Sequence, residues 1–170
     1  AKKLITGNPL NRETSIGPVS RKEQLPFLKE QVEDARTRGG KILSGGNSLP
    51  GKGYFFEPTV VVDANHSMKL MTEESFGPVI GIQKVKDDNE AVELMKDTPY
   101  GLTAAVYSKS LERAEKVMKQ MDTGTVYWNC CDRVSAALPW SGRKNSGLGA
   151  TLSYHGIRAF VQPKAYHLRG

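Results

Sequence analysis

Cysteine is nearly absent from this chain of 170 residues: only two occur, side by side at Cys130 and Cys131. Neighbouring thiols make no disulfide framework, so a disulfide-stapled secreted scaffold is excluded and a reducing compartment, the cytoplasm by default, is expected. Long hydrophobic runs are lacking too; none approaches the length of a membrane span. The opening stretch "AKKLITGNPLNRETSIGPVS" has no apolar segment of signal-peptide type. Histidine is scarce: His66, His155 and His167 lie far apart, and none has a Cys or His at metal-ligand spacing. No serine stands in G-x-S-x-G, which removes the hydrolase elbow. The glycine-rich "SGRKNSGLG" fails as a phosphate loop, because Leu148 and Gly149 stand where Lys and Ser/Thr are needed. It fails as a dinucleotide fingerprint as well, with Leu152 at the third glycine position. Tight turning explains those glycines without a ligand. Repeats and low-complexity tracts are also missing.

What remains is the composition of a globular protein, 38% hydrophobic and 25% charged, with a formal net charge of +6. The length suits one domain with a real core. The positive charge gathers late, with six Lys/Arg against one Asp/Glu between 123 and 170. Those residues are scattered and lack an aromatic platform, so nucleic acid is a poor fit as partner. Solubility, or neutralisation by another part of a larger molecule, accounts for them.

The organisation follows from breakers and periodicity. Residues 1–19 read as an irregular lead-in punctuated by Gly7, Pro9, Gly17 and Pro18. Ser20 to Glu23 has the form of a capping box before a helix with Leu25, Leu28, Val32 and Ala35, stopped by Gly39-Gly40. Pro26 is late for a first-turn proline, which would move the start onward. "KILSGGNSLPGKG" predicts a short strand and loop. "YFFEPTVVVDA" predicts a strand with Pro58 at an edge or bulge. "PVIGIQKV" (78–85), a helix capped by Asp87 and Glu90, "LTAAVYS" (102–108), a helix over about 110–121 and "TVYWN" (125–129) then alternate. That order predicts an α/β fold: an open, mostly parallel sheet with flanking helices around a βαβαβ core. Ligands in such sheets sit beyond the carboxyl ends of the strands. The loop "CCDRVSAALPWSGRKNSGLG" leaves one such end, and its length marks it as functional. "IRAFVQPKAYHLR" (157–169) alternates enough to predict a carboxyl-terminal edge strand that pairs with another chain.

Two places carry candidate chemistry. Cys130 or Cys131 at a strand end is a possible nucleophile, and Arg133 would lower a thiol pKa if it approached; a buried inert thiol is the commoner outcome. Glu73-Glu74 precede Phe76, Gly77 and Pro78. A carboxylate there suits a pair of hydroxyls such as a ribose diol, with an aromatic wall for a planar ring. The other reading is an acidic pair in solvent.

Taken together, "GNPLNRETSIGPVS", "GYFFEPTVV", "MTEESFGPVIGI", "PYGLTAAVYSKSLERA", "GTVYWN" and "PWSGRKNSGLG" resemble, in order, the carboxyl-terminal part of the aldehyde dehydrogenase superfamily. The resemblance covers nearly the whole chain. It implies NAD or NADP as cofactor and an aldehyde as substrate, with the upstream half of the same enzyme and further copies of the chain as partners. Glu74 matches the glutamate that holds the nicotinamide ribose hydroxyls, and Phe76 the aromatic beside the nicotinamide. Gln24 falls near a position that approaches the ribose. Asp132, Val134 and Trp140 match the wall of the aldehyde pocket, Trp140 standing where many members carry phenylalanine. Ser141 and Ala150-Thr151 depart from the usual glycine and Arg-Glu. Cys130 matches a cysteine without a nucleophilic role, since the family's nucleophile lies upstream. The family reaction runs through a cysteine thiohemiacetal and thioester. It also needs an oxyanion-stabilising asparagine and a general-base glutamate, both upstream. The expectation is therefore a partial catalytic domain over 1–170, inactive alone. A stand-alone binding or assembly module built on that fold is the alternative.

Overall fold

The structure, a computed structural model, describes residues 1–131 and 133–170. These form two compact units, Ala1–Val85 and Lys86–Gly170.

In the first unit, helix α1 spans Gln24–Thr37 and buries Leu28, Gln31, Val32 and Ala35 along one face. It begins later than the capping-box pattern predicts, and Glu23 at the cap makes no side-chain hydrogen bond. Pro26 explains the shift. A proline has no N–H and clashes with the preceding turn, so it must fall in the first turn of a helix. Gly39, with φ +95°, ends α1 as the Gly-Gly pair predicts. Strands β1 (Lys41–Ser44), β2 (Thr59–Val62) and β3 (Val79–Gly81) make one sheet in that order, with the short helix α2 (Lys69–Thr72) between β2 and β3. β1 and β2 are antiparallel, whereas β2 and β3 are parallel.

Pro58 is not at an edge: β2 is the central strand, and Pro58 stands just before it, where its missing N–H costs no ladder bond. The register irregularity falls instead in β1, between Ile42 and Ser44. Alternation sorts the sheet. Val61 is buried, and Ile42 and Val79 pack on the core formed by Leu28, Val32 and Phe56 and by Ala35, Val61, Met68 and Leu70. Leu43 and Ile80 point the other way and are each 58% exposed.

The second unit contains α3 (Asp88–Lys96), β4 (Tyr100–Gly101), β5 (Thr103–Val106), α4 (Leu111–Met118), β6 (Thr125–Trp128), β7 (Arg143–Lys144) and α5 (Ser153–Arg158). Asp87 caps α3 by accepting the Glu90 N–H at 2.8 Å, and Glu90 returns a carboxylate to the Lys86 N–H at 2.6 Å. Ser110 caps α4 through the Arg113 N–H. Val92, Val117 and Met121 form the core beneath Ala104, Val106 and Val126. Arg113 binds Asp88 through two nitrogens, at 2.7 and 2.6 Å, and so ties α4 to α3.

The α/β class holds, with two corrections. The predicted run of three strands is divided: β3 ladders to β2, while β5 pairs in parallel with β6. Each unit thus holds its own parallel pair joined across a helix, β2–α2–β3 and β5–α4–β6. The predicted edge strand over 157–169 can start only later than read, because its first two residues are helical. Ile157 and Arg158 close α5, and residues 159–170 have no ladder partner among the described residues.

Candidate functional site

The candidate cofactor segment is built where α2 ends. Glu73 turns the chain into extended backbone, and its N–H closes the helix on the Lys69 carbonyl. Glu74 follows with an exposed carboxylate. Phe76 holds a left-handed backbone, φ +44°, and the residue is 75% exposed. A bulky residue at positive φ costs about 1–3 kcal/mol and persists only when its surroundings impose it.

Those surroundings come from α1. The Gln24 amide nitrogen donates to the Ser75 carbonyl, fixing the peptide just before Phe76. One turn on, Leu28 fills the space beside Gly77: a Cβ there would lie 2.4 Å from the leucine Cδ1. Leu28 is fully buried and has nowhere to go. Gln24 and Leu28, four apart on one helix face, therefore clamp the segment on both sides of Phe76.

Gln24 and Phe76, predicted separately, line one hollow of about 180 Å³ together with Ser20 and Arg21. Glu74 sits in the same loop but outside that lining. Arg21 is the residue that sequence reasoning missed. Its place in the presumed capping box concealed a cation beside the hollow.

The second unit carries the candidate substrate wall. Asn129, at φ +53° after β6, accepts the Ser108 N–H at 2.9 Å and donates to the Ser108 carbonyl at 2.9 Å. The Trp128 indole donates to the same carbonyl at 3.0 Å. The carboxyl ends of β5 and β6 are thereby locked, and the chain leaves them through Cys130, half-buried, and Cys131, exposed. Both thiols are free.

Asp132 lies outside the described residues. Val134 is 62% exposed, while Trp140 is half-buried and exchanges two 2.8 Å backbone hydrogen bonds with Thr151. Behind it, Gly124 meets the backbone of Ser141 so closely that a Cβ would fall 1.6 Å from that carbonyl oxygen. Glycine is required there, and it seats the Trp140 loop against the start of β6. Val134 and Trp140 thus share one loop, but neither lines the apolar hollow of about 590 Å³ that Ala136, Leu152, Ile157 and Phe160 help to form.

Among the described residues no group of three or more His, Cys, Asp or Glu is placed to hold a metal ion. No helix among them is long and apolar enough to cross a membrane.

Comparison with known proteins identifies the family. The model of the aldehyde dehydrogenase family matches residues 1–166. An aldehyde dehydrogenase of Enchytraeus buchholzi is 40% identical over 169 residues, which is 99% of this chain and 34% of the relative. The chloroplastic betaine aldehyde dehydrogenase of Atriplex hortensis is 39% identical over 96% of this chain and 33% of its own length. Among solved structures, betaine aldehyde dehydrogenase from Staphylococcus aureus in complex with NAD+ superposes with a TM-score of 0.87. It is 34% identical over 94% of this chain and 32% of that one. Lactaldehyde dehydrogenase from Escherichia coli reaches 0.92 at 30% identity, over 98% of this chain and 35% of that one. The chain spans about a third of the length of the curated relatives it matches. It belongs to the aldehyde dehydrogenase family.

Proposed function

We propose that this chain is the carboxyl-terminal part of an NAD(P)-dependent aldehyde dehydrogenase, oxidising an aldehyde to a carboxylic acid through an upstream cysteine, and that alone it is inactive. The observation that carries the reading is the clamped segment Glu74–Phe76, with an exposed carboxylate and an exposed aromatic ring presented by a strained backbone. Its chemistry fits a nicotinamide nucleoside: a carboxylate accepts two adjacent hydroxyls, and a ring face covers a planar heterocycle. The bound dinucleotide would supply the hydride acceptor. The chain's own residues orient it, Glu74 at the ribose and Phe76 at the ring, while Gln24 holds the loop that carries both. Val134 and Trp140 supply apolar wall for the aldehyde.

A bare apolar sheet face supports the same reading. Leu43, Ile80 and Ile82 are 58%, 58% and 47% exposed, which suits a surface covered by the rest of a longer enzyme. The unpaired segment 159–170 suits a strand completed by a second subunit.

Two assays test the proposal. The isolated chain is expected to form no NADH from aldehydes. Turnover abolished by Cys130→Ser would overturn the assignment of the nucleophile. In the complete enzyme, Glu74→Gln is expected to slow hydride transfer by about 1–3 kcal/mol, the loss of a hydrogen bond to a charged group. An unchanged hydride step would remove Glu74 from the site.

A further inference from the structure

Helix α2 is too short to hold itself. It has four residues, and its own cap residue, Met68, offers no side-chain hydrogen bond. A single turn fixes several dihedrals for little return, so its order must come from elsewhere. The missing cap arrives from α1: Asp34 Oδ2 accepts the backbone N–H of Lys69, the first residue of α2, at 2.8 Å. The other oxygen, Oδ1, takes the Arg38 Nε at 2.7 Å, which pins the carboxylate in place. The Asp34 side chain is only 13% exposed. Outside it, the Lys69 ammonium pairs with Glu30, also on α1. Two residues after α2 ends stands Glu74, and the next peptide is held by Gln24. The segment from Lys69 to Ser75 is therefore tied to α1 at both ends.

We propose that Asp34 is a positioning residue for the cofactor site: by capping α2 from α1 it holds Glu74 and Phe76 in their binding geometry. The inference rests on the proposed cofactor role of Glu74. Removing the cap releases the upstream end of the segment, and the cofactor then binds only the fraction of molecules in which α2 is formed. Affinity falls while the aldehyde wall, carried by the other unit, is untouched.

The test uses the complete enzyme, with NADH binding followed by fluorescence titration and steady-state KM values measured for each substrate. Asp34→Ala is expected to weaken NADH binding and raise the cofactor KM about three- to tenfold, in the range that loss of an N-cap allows, with the aldehyde KM unchanged. Asp34→Asn keeps an acceptor for the Lys69 N–H and is expected to restore most of the affinity. A merely structural role would lower the amount of active enzyme without separating the two KM values. If Asp34→Ala does not fold, Asp34→Ser, too short to reach Lys69, carries the same expectation. Glu74→Gln is run alongside. If Glu74→Gln weakens NADH and Asp34→Ala, or Asp34→Ser in its place, does not, the positioning role is wrong. If Glu74→Gln itself leaves NADH binding unchanged, the cofactor site is wrong and the positioning role falls with it.

Discussion

Gly124 and Asp34 show how single residues govern this protein through contacts that they make or forbid. A methyl group on Gly124 would overlap the Ser141 carbonyl, a backbone atom that cannot rotate aside. Gly124→Ala is expected to destabilise the chain by at least about 1–3 kcal/mol, read as a lower denaturant midpoint. Wild-type stability in that variant would mean the loop around Trp140 is not seated on β6. Asp34 adds a dependence on pH. The hydrogen bond from Arg38, then the N–H of Lys69, holds its carboxyl below the usual aspartate range, while burial works weakly in the opposite direction. Lys69 is drawn up first by Glu30 and more weakly by Glu73 and Asp34 itself. A carboxyl lowered on folding stabilises the native state above its unfolded pKa of about 4, and that stabilisation is lost as the pH falls through the folded value. Thermal unfolding between pH 6 and pH 2 is expected to show a smaller acid-induced drop in Asp34→Asn than in the parent. Equal drops would separate Asp34 from the acid transition.

At the scale of elements, local signals were legible and distant ones were not. Asp87 and Glu90 cap α3 through bonds between residues three or four apart, so the pattern stands in the sequence itself. Asp87→Ala is expected to cost about 1 kcal/mol of stability by denaturant unfolding; no change would mean α3 does not depend on its cap. Gly39, which stops α1 within a Gly-Gly pair, was legible for the same reason. The cap of α2 was not, because Asp34 and Lys69 are 35 residues apart. Nor was the bond from Gln24 to Ser75, across 51 residues. Periodicity along one segment carries no record of such partners. Ile157 and Arg158 were read as the start of a strand but close α5, because isoleucine suits either state and local pattern does not choose between them.

At the scale of the whole molecule, the outward face of the β1–β2–β3 sheet gives a prediction whose sign depends on context. Ile80→Lys in the chain alone removes an exposed apolar group and is expected to leave stability within about 0.5 kcal/mol while improving solubility. In the complete enzyme the same change is expected to cost about 1.5–3 kcal/mol, the loss of a buried isoleucine. Thermal unfolding of the two forms checks this. Equal tolerance in both would mean that nothing covers the face.

The sequence by itself determined the α/β class, most element positions and the candidate residues Gln24, Glu74, Phe76, Val134 and Trp140. Caps, turn glycines and apolar spacing are local, and the motifs are contiguous. The tertiary structure alone decided that Gln24 and Phe76 share a hollow with Arg21. It also decided that β3 pairs with β2 and that α1 imposes the backbone of Phe76. Those outcomes depend on which surfaces meet after collapse, where ladder hydrogen bonds and close packing choose among partners that the linear pattern leaves equivalent.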